Sequence, residues 1–150
     1  MRKLLVSGLA AGLGLAGWIN VADAELFSAT RPVIAIFGAD LYVGAAVGRL
    51  SGAGTLAVHS QAEPSITCSG DFTSSAELGG NGHLNCSDGA SATFQFKRLD
   101  VFRGHGAGTH SRGAMSFTYG LSANESGPYL VLPPGKKLSN RGELLALVDF

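Results

Sequence analysis

The chain has 150 residues, of which 22 are glycine, 11 basic and 11 acidic, giving a net charge of zero. Charged residues make up 15% and apolar residues 45%, too few charges and too much apolar content for a disordered tail. There is no basic excess to neutralise a nucleic-acid backbone, and the length fits a single domain.

The N-terminus reads as an export signal. Met1-Arg2-Lys3 is a positive start, Leu4 to Ile19 carries no charge, and Ala22-Asp23-Ala24 has the form of a cleavage site. The apolar run is 16 residues long and contains Gly8, Gly12, Gly14 and Gly17, whereas a bilayer-spanning helix needs about 20 strongly apolar residues. The expected organisation is a signal peptide at 1–24 and one β domain at 25–150. No later segment is long and apolar enough to span as a helix. The mature chain is therefore expected to be soluble in an oxidising compartment, or a β-protein of the outer membrane.

Glycine and proline then recur every eight to twelve residues, an all-β rhythm. Val33 to Phe37 is a short apolar strand, ended by Gly38-Ala39-Asp40. Leu41 to Leu50 is the next extended run, turned by Ser51-Gly52-Ala53-Gly54. Thr55 to His59 should return beside it. Ile66 to Phe72 places Ile66, Cys68, Gly70 and Phe72 on one face at period two. Leu78 to Gly82 is predicted as a turn into a strand on which Leu84 and Cys86 share a face. Asp88-Gly89 is the strongest hairpin dipeptide, expected as a two-residue type I′ turn. Ala92, Phe94 and Phe96 alternate inward after it.

Cys68 and Cys86 are the two cysteines. An even count behind an export signal predicts a disulfide between them. The 18-residue separation matches neither a redox pair nor a zinc ligand cluster. A weak repeat surrounds them: LSGAGTL at 50–56 matches LGGNGHL at 78–84. The predicted reason is a pair of hairpins with positive φ at G-x-G and leucines re-entering the core.

The stretch Phe102 to Gly113 is rich in glycine, histidine and arginine. It lacks the lysine and serine of a nucleotide P-loop and precedes no helical pattern. It is expected as a long turn at 103–113. Arg103, His105, His110 and Arg112 form the candidate ligand set for an anion or a metal. Ala114 to Tyr119 alternates with Met115, Phe117 and Tyr119 on one face. Ser122 to Glu125 has the form of a capping box for one helical turn, ended by Pro128. Leu144 to Phe150 is a last strand with a terminal phenylalanine. That ending resembles the closing strand of outer-membrane β-barrels, but Leu145 and Leu147 would line a lumen that should be polar.

Three segments together resemble a family of small exported proteobacterial proteins without an assigned activity. They are TCSGDFTSS at 67–75, GGNGHLNCSDG at 79–89, and RGAMSFTYG at 112–120 with PYLVLPPGKKL at 128–138. The resemblance implies a Gram-negative periplasmic home and supplies no catalytic residues.

The expected fold is an all-β domain: a small antiparallel barrel-like or strongly bent sheet of about seven or eight short strands with one disulfide. The expected role is a non-catalytic periplasmic module for binding or assembly, with another envelope protein as partner and no nucleic acid. No nucleophile elbow, metal-ligand spacing or cofactor motif is present in the sequence. Two alternatives remain: a metal- or anion-binding protein or enzyme using 103–113, and a small outer-membrane β-protein.

Overall fold

A computed structural model describes residues 28–75, 79–142 and 144–150. The predicted export signal and Leu78 of the second repeat copy lie outside the described residues.

Eight strands form a closed antiparallel barrel: β1 (Ser28–Phe37), β2 (Asp40–Arg49), β3 (Ala53–Ser60), β4 (Thr67–Ser75), β5 (Gly79–Cys86), β6 (Ser91–Arg98), β7 (Gly104–His110) and β8 (Gly113–Tyr119). Each pairs with the next, and β8 closes on β1 through Phe37↔Met115 to Val33↔Tyr119. The expected small antiparallel barrel is thus what forms, with one Cys68–Cys86 disulfide. The two cysteines lie directly opposite each other in the β4–β5 register, and Cys68 is buried inside the barrel.

The interior explains the glycine content. An eight-stranded barrel is just wide enough for side chains to fill or for one small ligand. Here large and small inward residues alternate across the strands. Phe72 lies between Gly54 and Gly82, Phe94 between Gly82 and Gly108, and Phe96 between Gly80 and Gly106. A Cβ at Gly54 would sit 2.2 Å from the Phe72 ring, and one at Gly106 would sit 2.4 Å from the Phe117 ring. Gly54, Gly82 and Gly106 make room for neighbouring aromatic rings, whereas at Gly80 and Gly108 a Cβ would meet the Thr73 and Thr93 carbonyls of the adjacent strand. The sequence repeat has the same origin. Gly54 and Gly82 flank Phe72, while Leu56 and Leu84 flank Gly70 on the same central strand.

The outside divides in two. On β4 to β6 the outward residues are polar, as in Asp71, Asn81, Asn85, Thr93, Gln95 and Lys97, all exposed. This strict alternation is the signature of a sheet with one wet face. β1 is different: Val33 to Phe37 is buried throughout. Its inward residues join the barrel core. Its outward Ile34 and Ile36 join Leu41 and Leu130 in a second cluster. A separate hairpin, β9 (Lys136–Arg141) with β10 (Leu144–Asp149), supplies Leu138, Leu145 and Leu147 to cover it. The terminal strand is therefore not a barrel strand. It lies outside a barrel already closed by β8. The predicted capping box is present: Ser122 and Glu125 cap α1 (Ala123–Ser126) reciprocally.

Three local expectations are corrected. The stretch predicted as a long turn at 103–113 is strand β7, its inward glycines facing aromatic residues rather than bending the chain. The positive φ expected at G-x-G is found at Gly52 in the first copy, but in the second Gly80 and Gly82 are likewise strand residues and the positive φ falls on Gly79. Asp88-Gly89 is not a type I′ turn, because that turn requires positive φ at both central residues. Only Gly89 is left-handed, at φ 87°. Its N–H donates to the Cys86 carbonyl, and the Cys86 N–H donates to the Ala90 carbonyl. The Asp88 carboxylate accepts from the Ala90 N–H, which favours an ordinary right-handed conformation at that residue.

Candidate functional site

The strand connections put two unlike ends on the barrel. One end, at the β1–β2, β3–β4, β5–β6 and β7–β8 connections, is filled. Phe37 packs 4.5 Å from the Tyr42 ring and stacks on the His110 ring at 4.6 Å. His110 Nε2 lies 4.0 Å from the Cys86 sulfur. Over this plug, Arg112 bridges Asp40 at 3.2 Å and Asp88. Burial and the Arg112 charge push the His110 pKa below its ordinary 6.5. Its Nδ1 accepts the Arg112 N–H, so the proton of the neutral ring sits on Nε2.

The other end is hollow. A cavity of about 760 Å³ opens beside the β2–β3 and β6–β7 connections and the Ser74–Ser75 end of β4. That volume falls in the range of roughly 300–1,000 Å³ usual for small-molecule sites. Phe72, Phe94, Phe96 and Phe117 line its depth, held in edge-to-face pairs such as Phe94–Phe117 at 5.1 Å. Tyr119 stands above them, 5.8 Å from Phe96. Burial raises the Tyr119 pKa above its ordinary value, which keeps the phenol protonated.

Three arginines reach the upper wall: Arg31, Arg49 and Arg98. Among the described residues, no aspartate or glutamate lines the cavity. Among the described residues none of the three arginines pairs with a carboxylate; the ion pairs use Arg103, Arg112 and Lys136. Arg31 lies flat over the Phe102 ring at 4.2 Å. Arg98 donates from Nη2 to Ser74 Oγ at 2.7 Å and from Nη1 to the Val101 carbonyl at 3.4 Å. Its Nε is buried and has no hydrogen-bond partner, alone among the described residues. A buried N–H of a charged group left without an acceptor costs free energy. An acceptor on a bound molecule would recover that cost.

The four residues predicted as a ligand set are not brought together. Arg103 sits at the hollow end, bonded to Asp100 at 2.7 Å and Glu125 at 3.3 Å. His105 faces outward and stacks on Tyr129 at 4.3 Å. His110 is inside the filled end, only 3% exposed. Arg112 caps that end from outside. The reason is strand periodicity: residues five apart on one strand point to opposite faces. The described residues include no cluster of three or more His, Cys, Asp or Glu side chains able to hold a metal.

The arginines of the hollow end are what sequence reasoning missed, although a signal was available. Ala92, Phe94 and Phe96 extend by the same period to Arg98. Phe37, Ala35 and Val33 extend backward to Arg31. A cation at an inward position of an otherwise apolar row marks a place where the barrel holds a charge. No protein-family model, curated protein or solved structure matches the chain.

Proposed function

We propose that the barrel is a non-catalytic binding module for an amphipathic anion, with the apolar body among the phenylalanines and the acidic head at the arginines. The observation that carries this reading is the aromatic cavity of about 760 Å³ whose wall, among the described residues, holds three arginines and no carboxylate. The buried Nε of Arg98, without a partner among the described residues, is an unused donor on a side chain that lines the cavity. Guanidinium groups suit carboxylate and phosphate, whose oxygens accept paired N–H donors.

The sequence-based export signal and the disulfide support a periplasmic home, since disulfides persist in oxidising compartments. In that setting the module would pass its ligand to another envelope protein. A membrane-spanning barrel is not adopted. Its outer face should be an apolar band and its lumen polar, whereas here the exposed outward residues of β4 to β6 are polar and the interior is aromatic.

The test is calorimetric titration of the purified protein with dodecanoate and with dodecanol. Dodecanoate should bind, and the alcohol should bind about tenfold or more weakly, since a charged hydrogen bond is worth about 1.5–3 kcal/mol. Arg98→Gln should remove most of that difference. Ala46→Phe, which fills the cavity, should abolish binding of both ligands while the protein stays folded by its melting transition. Equal binding of acid and alcohol, or binding that survives Ala46→Phe, would overturn the reading.

A further inference from the structure

The hollow end carries a second feature that the cavity does not require. Four large apolar side chains are exposed there: Leu50 at 79%, Val101 at 69%, Phe102 at 47% and Leu99 at 45%. They sit on two connections, β2–β3 and β6–β7, that face each other across the cavity mouth. The corresponding connections of the filled end are built differently. There Asp40, Asp88 and Arg112 tie the surface with ion pairs, and none of the large exposed apolar residues lies on them. Clustered apolar exposure at one end marks a surface that meets something.

Charge says what it meets. Around this mouth the described residues include Arg31, Arg49, Lys97, Arg98 and Arg103 against Asp100 and Glu125, and both acids are bonded to Arg103. Among the described residues, basic side chains thus outnumber acidic ones at the end where the apolar tips stand. Apolar side chains that insert among head groups, ringed by cations that meet lipid phosphates, are the chemistry of an interfacial anchor. A protein partner with an acidic rim is the competing occupant. The lipid surface is favoured because the cavity opens through the same apolar tips. An amphipathic ligand could then move between bilayer and barrel without crossing water.

We infer that the hollow end docks on an anionic bilayer surface through Leu50, Leu99, Val101 and Phe102, with the surrounding arginines on the lipid head groups. This goes beyond the cavity reading and is tested without any cavity ligand, so either can fail alone.

The experiment is vesicle sedimentation of the ligand-free protein. Vesicles of phosphatidylcholine with about one-third phosphatidylglycerol should carry the protein down. Phosphatidylcholine alone should do so about tenfold less well, and raising salt to about 1 M should release the bound fraction. The double variant Leu50→Asp with Val101→Asp should lose binding about tenfold or more. Both side chains are mostly solvent-exposed, so its melting temperature should match the parent's, and a second variant, Arg49→Gln, should weaken binding without touching the apolar tips. No sedimentation with anionic vesicles, or sedimentation unchanged in the double variant, would overturn the inference. So would a parent dimer in light scattering that the double variant converts to monomer, because the tips would then be covered by a second copy.

Discussion

The two ends of this barrel use the same strands for opposite purposes. At the filled end Phe37 touches both Tyr42 and His110, His110 reaches the Cys86 sulfur of the disulfide, and Arg112 bridges Asp40 and Asp88 on the outside. At the hollow end the inward rows finish on Arg31, Arg98 and Tyr119. Arg31 and Arg98 lack carboxylate partners among the described residues, and apolar tips are exposed. Tight packing and open volume are thereby separated along the barrel axis. A binding cavity weakens a core because its walls lose packing partners. This fold places that loss at one end and braces the other.

The comparison is sharpest in chemical denaturation. Phe37→Ala removes a fully buried ring from the plug and should cost about 3–5 kcal/mol. Phe102→Ala at the hollow end removes a half-exposed ring stacked under Arg31 and should cost under about 1 kcal/mol. Similar costs for the two would mean the ends are not specialised. Next in size is the disulfide. In the chain-entropy account, closing an 18-residue loop contributes about 3 kcal/mol. Cys68→Ala with Cys86→Ala should lower the unfolding midpoint accordingly while leaving dodecanoate binding intact, because the bond lies at the filled end.

A smaller effect tests the interlock of rings and glycines. Gly106→Leu puts a side chain where the Phe117 ring and the Gln95 carbonyl already stand, an overpacking that should cost about 1–3 kcal/mol. Ala107→Leu, one residue along and facing outward, should change stability by less than about 0.5 kcal/mol. Equal melting temperatures would show that the glycines are not spacers.

That pairing also accounts for what the sequence made legible. The strand alternations at Ala92-Phe94-Phe96 and Met115-Phe117-Tyr119, the disulfide and the capping box at Ser122–Glu125 were all readable, because each depends on neighbours close in sequence. The role of Gly104 and Gly106 was not. A glycine in isolation signals a turn. Here its function depends on a ring from the adjacent strand, and only the register supplies that ring. The continuous apolar run at Val33 to Phe37 was readable as a strand, but its second buried face depends on the β9–β10 hairpin about 100 residues later in the chain. Arg31 and Arg98 belong to inward rows that the alternation had already identified, and following those rows to their ends would have located the cavity wall.

The smallest expected effect concerns pH, and it belongs to the filled end. His110 is buried beside Phe37, and burial together with Arg112 lowers its pKa below 6.5 in the folded protein. The unfolded chain therefore takes up a proton at higher pH than the folded one. Stability from this group is fully present above about pH 6.5 and falls as pH drops through that value toward the lowered folded pKa. The slope is at most about 1.4 kcal/mol per pH unit. Protonation also removes the Nδ1 acceptor that holds the Arg112 N–H. The carboxylates whose pKa values are lowered, Asp100, Glu125 and Asp149, stay ionised in this window and add no slope there. Urea midpoints measured between about pH 7.5 and 5 should thus decline in the parent and run much flatter in His110→Gln, whose amide oxygen can still accept the Arg112 N–H. The hollow end has no such group among its lining residues, so Arg98→Gln should leave the parent's pH profile unchanged. A flat parent profile, or a slope that survives His110→Gln, would show that the plug does not hold this imidazole neutral.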